Sequence, residues 1–175
     1  MAPKEENPEK TMDKREEYLR KAIDVSKQAR KEGNHPFGAI LVGPDGEVLL
    51  SAGNTVTSDK DCTGHAETNL VRKASKTYDR QFLSGCTLYS SAEPCAMCSG
   101  AIYWSGIGGL TYALSEEHLH RLTGDDPENP TLALPSREVF ARGQREVAIS
   151  GPQLEEEAAE PHRGFWHPSD PAEHH

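Results

Sequence analysis

Cys95 and Cys98 stand at i and i+3 in "EPCAMC", and His65 and Glu67 at i and i+2 in "GHAETNL", residues 64–70. On a helix, a spacing of three puts both sulfurs on one face. Pro94 directly ahead suits a helix start, so the thiols fall where free backbone N–H groups and the helix dipole favour thiolates. His65, in the first turn of the preceding helix, adds a nitrogen. One nitrogen and two sulfurs suit zinc, and three protein ligands leave the fourth tetrahedral position for water, as in catalytic sites. Glu67 lies close enough to His65 to overhang the same place while pointing differently. It is suited to handle the protons of a water whose pKa zinc lowers from about 15.7 to about 7. A C-x-x-C alone serves equally as a redox pair or half of a structural zinc knuckle. Joined to His-x-Glu upstream, with helix starts under both, the catalytic reading prevails.

Convergence of these groups requires two helices that begin at the same edge of a sheet. The periodicity predicts a first helix over 13–32, with Leu19, Ala22, Ile23, Ser26 and Ala29 on one stripe and a stop at Gly33. "FGAILVG" and "GEVLLSAGN", joined by "PDG", read as an antiparallel hairpin. Thr63 is placed to cap a helix running to about Lys76, "CTLYSS" is a short buried strand, and Cys95 to Trp104 form the next helix. "IGGLTYAL" is a strand, "SEEHLHRL" a helix and "DDPENPT" a loop. "REVFARG" is a weak helix or turn, "EVAIS" a short strand, and "PQLEEEAAEPHRGFW" a last helix that Pro161 interrupts or ends. Such alternation argues for a layered α/β domain with helices on both faces of a mixed sheet.

A chain of 175 residues is long enough for one domain with a sizeable core. Its apolar content of 35% is depressed by the ends, so residues 1–12 and 168–175 read as tails around a domain at 13–167. No apolar run reaches the roughly 18 residues of a membrane span, and the amino terminus lacks the order of a secretory signal. The expected compartment is the cytoplasm, with Cys62, Cys86, Cys95 and Cys98 reduced. The net charge of −9 and the unsegregated basic residues argue against a nucleic-acid partner. Glu16/Arg20 and Glu17/Lys21 instead have the i,i+4 spacing of a solvated helix face.

The two motifs, together with "PFGAILV", "GNTVTSDKDCTGHAE" and "LYSSAEPCAMCSGAIYW", resemble the cytidine deaminase-like superfamily. Within it they are most similar to bacterial guanine deaminases and to the tRNA adenosine deaminase branch, from about Tyr18 to Leu114. The resemblance implies a three-layer α/β/α sandwich with a five-stranded mixed sheet, hydrolytic loss of ammonia from a base, and a homodimer. It implies one zinc per chain on His65, Cys95 and Cys98, Glu67 as proton shuttle, and Asn54 reading the base. Phe37 and Trp104 match pocket-lining aromatics, and Ala66 is counted with the substrate-binding residues.

The expected substrate is a free base or nucleoside, a guanine-like purine first, with a cytosine-type pyrimidine or tRNA adenosine as alternatives. A non-catalytic zinc module would have no use for Glu67. Beyond Leu114 the resemblance fades. "GDD" at 124–126 is similar to a loop acid of the guanine deaminases. Phe165 and Trp166 serve either as a lid over the site or as packing for the tail. Cys62 and Cys86 are expected to be small buried hydrophobes. His35 either edges the pocket or lies at the surface, and Glu155, Glu156 and Glu157 are expected to form a solvated face.

Overall fold

In a computed structural model, residues 7–166 are described. The first helix, α1, spans Pro8–Lys31 with the Asn7 side chain capping Glu9 N–H, so it starts ahead of residue 13, within the stretch expected to be a tail. The tail segment 168–175 lies outside the described residues. The i,i+4 pairs Glu16–Arg20 and Glu17–Lys21 form at 3.7 Å each.

After α1 come β1 (Gly38–Val42), β2 (Val48–Gly53), α2 (Ala66–Thr77), α3 (Arg80–Ser84), β3 (Thr87–Ala92) and α4 (Ala96–Ser105). Then follow β4 (Gly109–Leu114), α5 (Glu116–Thr123), α6 (Ser136–Ala141), β5 (Ala148–Ser150) and α7 (Glu155–Ala159). The strands form one five-stranded sheet in the order β2-β1-β3-β4-β5. The pairs β1/β2 and β1/β3 are antiparallel, and β3/β4 and β4/β5 are parallel. This is the expected mixed sheet. Every residue of β1 and β4 is buried, which is why "GAILV" and "GLTYAL" read as near-continuous rather than alternating apolar runs.

Two cores result, one on each face. Leu70, Leu88, Ile102 and Leu110 join α2 and α4 to the sheet, while Leu19, Ile23, Ile40 and Leu114 join α1 to the other face. The α1 packing depends on Gly38, where a β-carbon would lie 2.4 Å from the Ala22 carbonyl oxygen, so no larger residue fits without parting helix from strand. Among the described residues, no helix is long and apolar enough to cross a membrane.

The carboxyl-terminal segment ends α7 at Ala159 and turns through Glu160–His162 in a 3-10 helix containing Pro161, as the proline predicts. His162 is 2% exposed; its Nδ1 accepts from Trp166 Nε1 at 3.1 Å, and its Nε2 has no partner among the described residues. Burial, reinforced by the nearby Arg30 and His118, pulls the His162 pKa down to about 3. Above the ordinary pKa of 6.5 both folded and unfolded states hold it neutral, and it adds no pH dependence to stability. As pH falls below that, only the unfolded state takes the proton, so stability is lost progressively until the folded pKa is reached. Between about pH 6.5 and about pH 4 the loss is on the order of 3 kcal/mol. Melting temperatures measured over that range should fall, and His162→Phe should flatten the decline; an unchanged slope in the variant would remove His162 as its cause.

Candidate metal centre and active site

Since β2 and β3 both run antiparallel to β1, their carboxyl ends lie at the same edge of the sheet as the amino end of β1, and β4, parallel to β3, ends there too. That edge therefore gathers Asn54 after β2, Cys95 after β3, Glu116 after β4 and Phe37 before β1, the usual ligand position in open α/β sheets. His65 and Cys95 are the N-cap residues of α2 and α4, one position outside the helix bodies in which they were expected. Neither side chain caps its own helix, which leaves both free to face each other. Thr63 does not cap α2: its N–H and hydroxyl both donate to Asp61, closing the turn that delivers His65.

His65 Nδ1 lies 3.6 Å from Cys95 Sγ and 3.5 Å from Cys98 Sγ, and the three donor atoms all fall within 4.8 Å of one another. Zinc bonds of about 2.05 Å to nitrogen and about 2.3 Å to sulfur, opened to a tetrahedral angle, give an N···S edge of about 3.5–3.6 Å. The residues fit the metal, and the chain holds one zinc on this cluster. Thr68 Oγ1, 3.2 Å from Cys98 Sγ, steadies that ligand. The Cys98 thiol and then the His65 ring, both hydrogen-bonded to Cys95, hold its pKa down at about 4, whereas the same bond and burial push Cys98 up. The Cys95 sulfur raises His65 in turn. A cation displaces the protons these groups share.

Glu67 is 5% exposed, and the Ser90 hydroxyl reaches its Oε1 at 2.8 Å and the Ala92 carbonyl at 2.6 Å. A hydroxyl has one proton and can also accept, so Ser90 serves Glu67 in either protonation state. Burial, and then the Cys95 charge, raise the Glu67 pKa; a bound cation pulls it back. Glu93, just ahead of the ligand loop, spans two helix starts: its Oε1 accepts from Glu116 N–H, and its Oε2 from Ser136 N–H and hydroxyl.

Beside the cluster lies a cavity of about 360 Å³, lined among others by His35, Phe37, Asn54, Glu67 and Glu116. Asn54 is buried, and its Oδ1 accepts from Val56 N–H while its amide nitrogen has no partner among the described residues. His35 edges the pocket and pairs with Glu128 at 3.2 Å. Burial, then the charges of Cys95, Glu93 and Glu67, raise Glu116 to about 7.

Trp104 does not reach this cavity. It is 74% exposed near the carboxyl end of α4, whereas the cavity is lined from this part of the chain by Cys95 and Met97 at the helix start, and Cys98, Ile102 and Ser105 are buried. Ala66 is fully buried and is not among the lining residues. Trp166 packs behind Phe37, His35 and His162 rather than over the mouth. Cys86 is buried as expected, but Cys62 is exposed and lines the cavity. Glu155 is partly buried against His118 and Ser115, while Glu156 and Glu157 pair at the surface with Arg163 and Arg20.

The sequence reading missed Glu116 and the closing segment 128–132. An acid at the first position of the helix after the "YAL" strand, at the sheet edge where Cys95 follows β3, was the available signal.

A family model, the cytidine and deoxycytidylate deaminase zinc-binding region, matches residues 12–114. A "Probable cytosine deaminase" from Schizosaccharomyces pombe is 51% identical over 149 residues, 85% of this chain and 90% of that protein. A guanine deaminase from Bacillus subtilis is 40% identical over 99 residues, 56% of this chain and 63% of that protein. Among solved structures, a guanine deaminase from Nitrosomonas europaea superposes with a TM-score of 0.68 at 23% identity, covering 85% of this chain and 82% of that one, a likeness of fold.

Proposed function

Since the chain belongs to the cytidine and deoxycytidylate deaminase family and is a zinc-dependent nucleobase or nucleoside deaminase, we propose that its substrate is a free base, with cytosine first and guanine second. The observation that carries the reading is Glu67, buried beside the His65–Cys95–Cys98 cluster and opening on a base-sized cavity. Cytosine is favoured because a match of 149 residues in a chain of 175 must include the pocket-closing segment 128–132. Guanine, which the sequence motifs place first, is supported by the Bacillus subtilis match and by the likeness of fold.

Zinc, when bound, supplies the Lewis acidity that makes water a nucleophile near neutral pH. Glu67 takes that water's proton and delivers it to the ring nitrogen next to the reacting carbon. It then takes the second proton from the hydroxyl now on the ring carbon and passes it to the departing amine, so the C–N bond breaks, the water oxygen remains on the ring as a carbonyl and ammonia leaves. Asn54 offers its free amide N–H to an acceptor on the base edge, and Phe37 lines the same wall.

No lysine or arginine lines the cavity among the described residues, while Glu67, Glu93, Glu116 and Glu128 do. A phosphate finds no lysine or arginine there among the described residues, only an acidic lining that repels it, which speaks against nucleotides and tRNA. Ammonia release from zinc-loaded protein should be fastest with cytosine in a panel including guanine, adenine, their nucleosides and tRNA. Guanine alone responding would exchange the two readings, and tRNA alone responding would overturn both.

We also take the protein to be a homodimer: Met97, Trp104, Leu132 and Leu134 are large apolar side chains left exposed, of the kind partners cover. Light scattering at micromolar concentration should return the mass of two chains; a single-chain mass would refute this.

A further inference from the structure

The wall that closes the cavity is fastened at both ends to one carboxylate. Residues 126–135, with Pro127, Pro130 and Pro135 among them, carry no helix or strand, yet the stretch from Glu128 to Leu132 lines the cavity. Ahead of it α5 begins at Glu116 and adds Leu119 to the same lining; behind it α6 begins at Ser136. Glu93 accepts from both helix starts: from Glu116 N–H at 3.1 Å, and from Ser136 N–H at 2.9 Å and its hydroxyl at 2.8 Å. The Ser115 hydroxyl accepts from His118 N–H and so caps α5 locally. At the N-cap of α6 stands Pro135, which has no side-chain acceptor, so Glu93 caps that helix from across the fold. Glu93 is itself fixed, being 8% exposed and donating its N–H to the Leu114 carbonyl at the end of β4 at 2.7 Å. At the middle of the wall Glu128 meets His35 at 3.2 Å, but its side chain is 72% exposed, and a pairing so exposed adds little.

On the reading of the site as a base deaminase, which this inference rests on, we propose that Glu93 is a positioning residue that holds segment 116–136 over the cavity and so sets how tightly the base is enclosed. Its two oxygens are committed to the wall, so it acts through the residues it places rather than on the base. A buried N–H that loses its acceptor is costly, and without Glu93 the closed arrangement loses population to open ones. An enclosing wall touches the base in the ground state and the transition state alike, so its loosening falls on KM rather than kcat.

The test uses the full chain loaded with zinc. Glu93→Gln preserves size but turns an NH2 group toward one of the two helix starts, setting donor against donor. In this variant hydrogen exchange read by mass spectrometry should quicken in peptides covering 116–136 and keep wild-type rates in α1 and α2, with zinc content unchanged. KM for the base that the wild type turns over fastest should rise roughly tenfold while kcat stays within about threefold. A fall in kcat at constant KM, loss of zinc, or wild-type exchange over 116–136 would each overturn the proposal. Should the variant fail to fold, Ser136→Ala, which removes one of the three donors, decides: faster exchange around 128–136 together with a raised KM supports the proposal, and any other result overturns it. Wild-type protein that holds zinc but turns over no base would refute the underlying reading, while the exchange comparison would still decide whether Glu93 holds the wall.

Discussion

Glu67→Gln should retain zinc and the wild-type melting behaviour yet lose roughly 10²- to 10⁴-fold in kcat, the range for removing a general acid–base group. The amide is isosteric, still reaches Ser90, and sits in the same buried slot at 5% exposure, so packing is preserved. What disappears is the capacity to shuttle water's two protons in turn, one to the ring nitrogen and one to the departing amine. KM should change little, because Glu67 contributes to the transition state rather than to holding the base. Steady-state kinetics with metal content measured in parallel separates this outcome from loss of the metal. Wild-type kcat in a zinc-replete variant would strip Glu67 of the shuttle role and leave the cavity's chemistry without a base.

The metal cluster was legible because its information is local. Spacings of two and three residues, a proline and two helix starts suffice to bring His65, Cys95 and Cys98 together once strand direction is known. The hydrophobic runs of β1 and β4 are legible for the same reason, since strands buried on both faces are largely apolar, whereas β3 is buried with Ser90 and Ser91 in it. Trp104 fails the same test, because the sequence names the helix but not which stripe faces the cavity, and Cys98, Ile102 and Ser105 already occupy the inner one. Glu116 belongs to the non-local class: its place in the cavity wall appears only when β4 ends beside β3 and Glu93 accepts from the first N–H of α5. The closing wall from Glu128 to Leu132 read as a loop, and a loop sequence carries no record of what it covers. His35 and Trp166 lay between two readings that only packing could separate, and they separated differently, His35 into the cavity and Trp166 behind it.

Stripping zinc should abolish turnover and soften the fold together, because the same three atoms serve both. His65 and Cys95 are the N-caps of α2 and α4, and Cys98 lies one turn into α4, so a cation held among them ties two helix starts at the sheet edge. Without it, a thiolate, a thiol and an imidazole remain packed at 3.5–3.6 Å with only shared protons between them. Free zinc at 100 times its dissociation constant stabilises by about 2.7 kcal/mol. For a chain of this size that is roughly 5–10 °C in melting temperature. A chelated sample should therefore melt lower and release no ammonia, and zinc added back should restore both. Cys98→Ser should not recover either, since serine supplies no thiolate to the tetrahedron. Full activity in protein shown by elemental analysis to be metal-free would refute the hydrolytic chemistry proposed for this site. Lost activity with an unchanged melting curve would refute only the coupling between the site and the two helix starts, because a cation bridging α2 and α4 has to stabilise the state in which they converge.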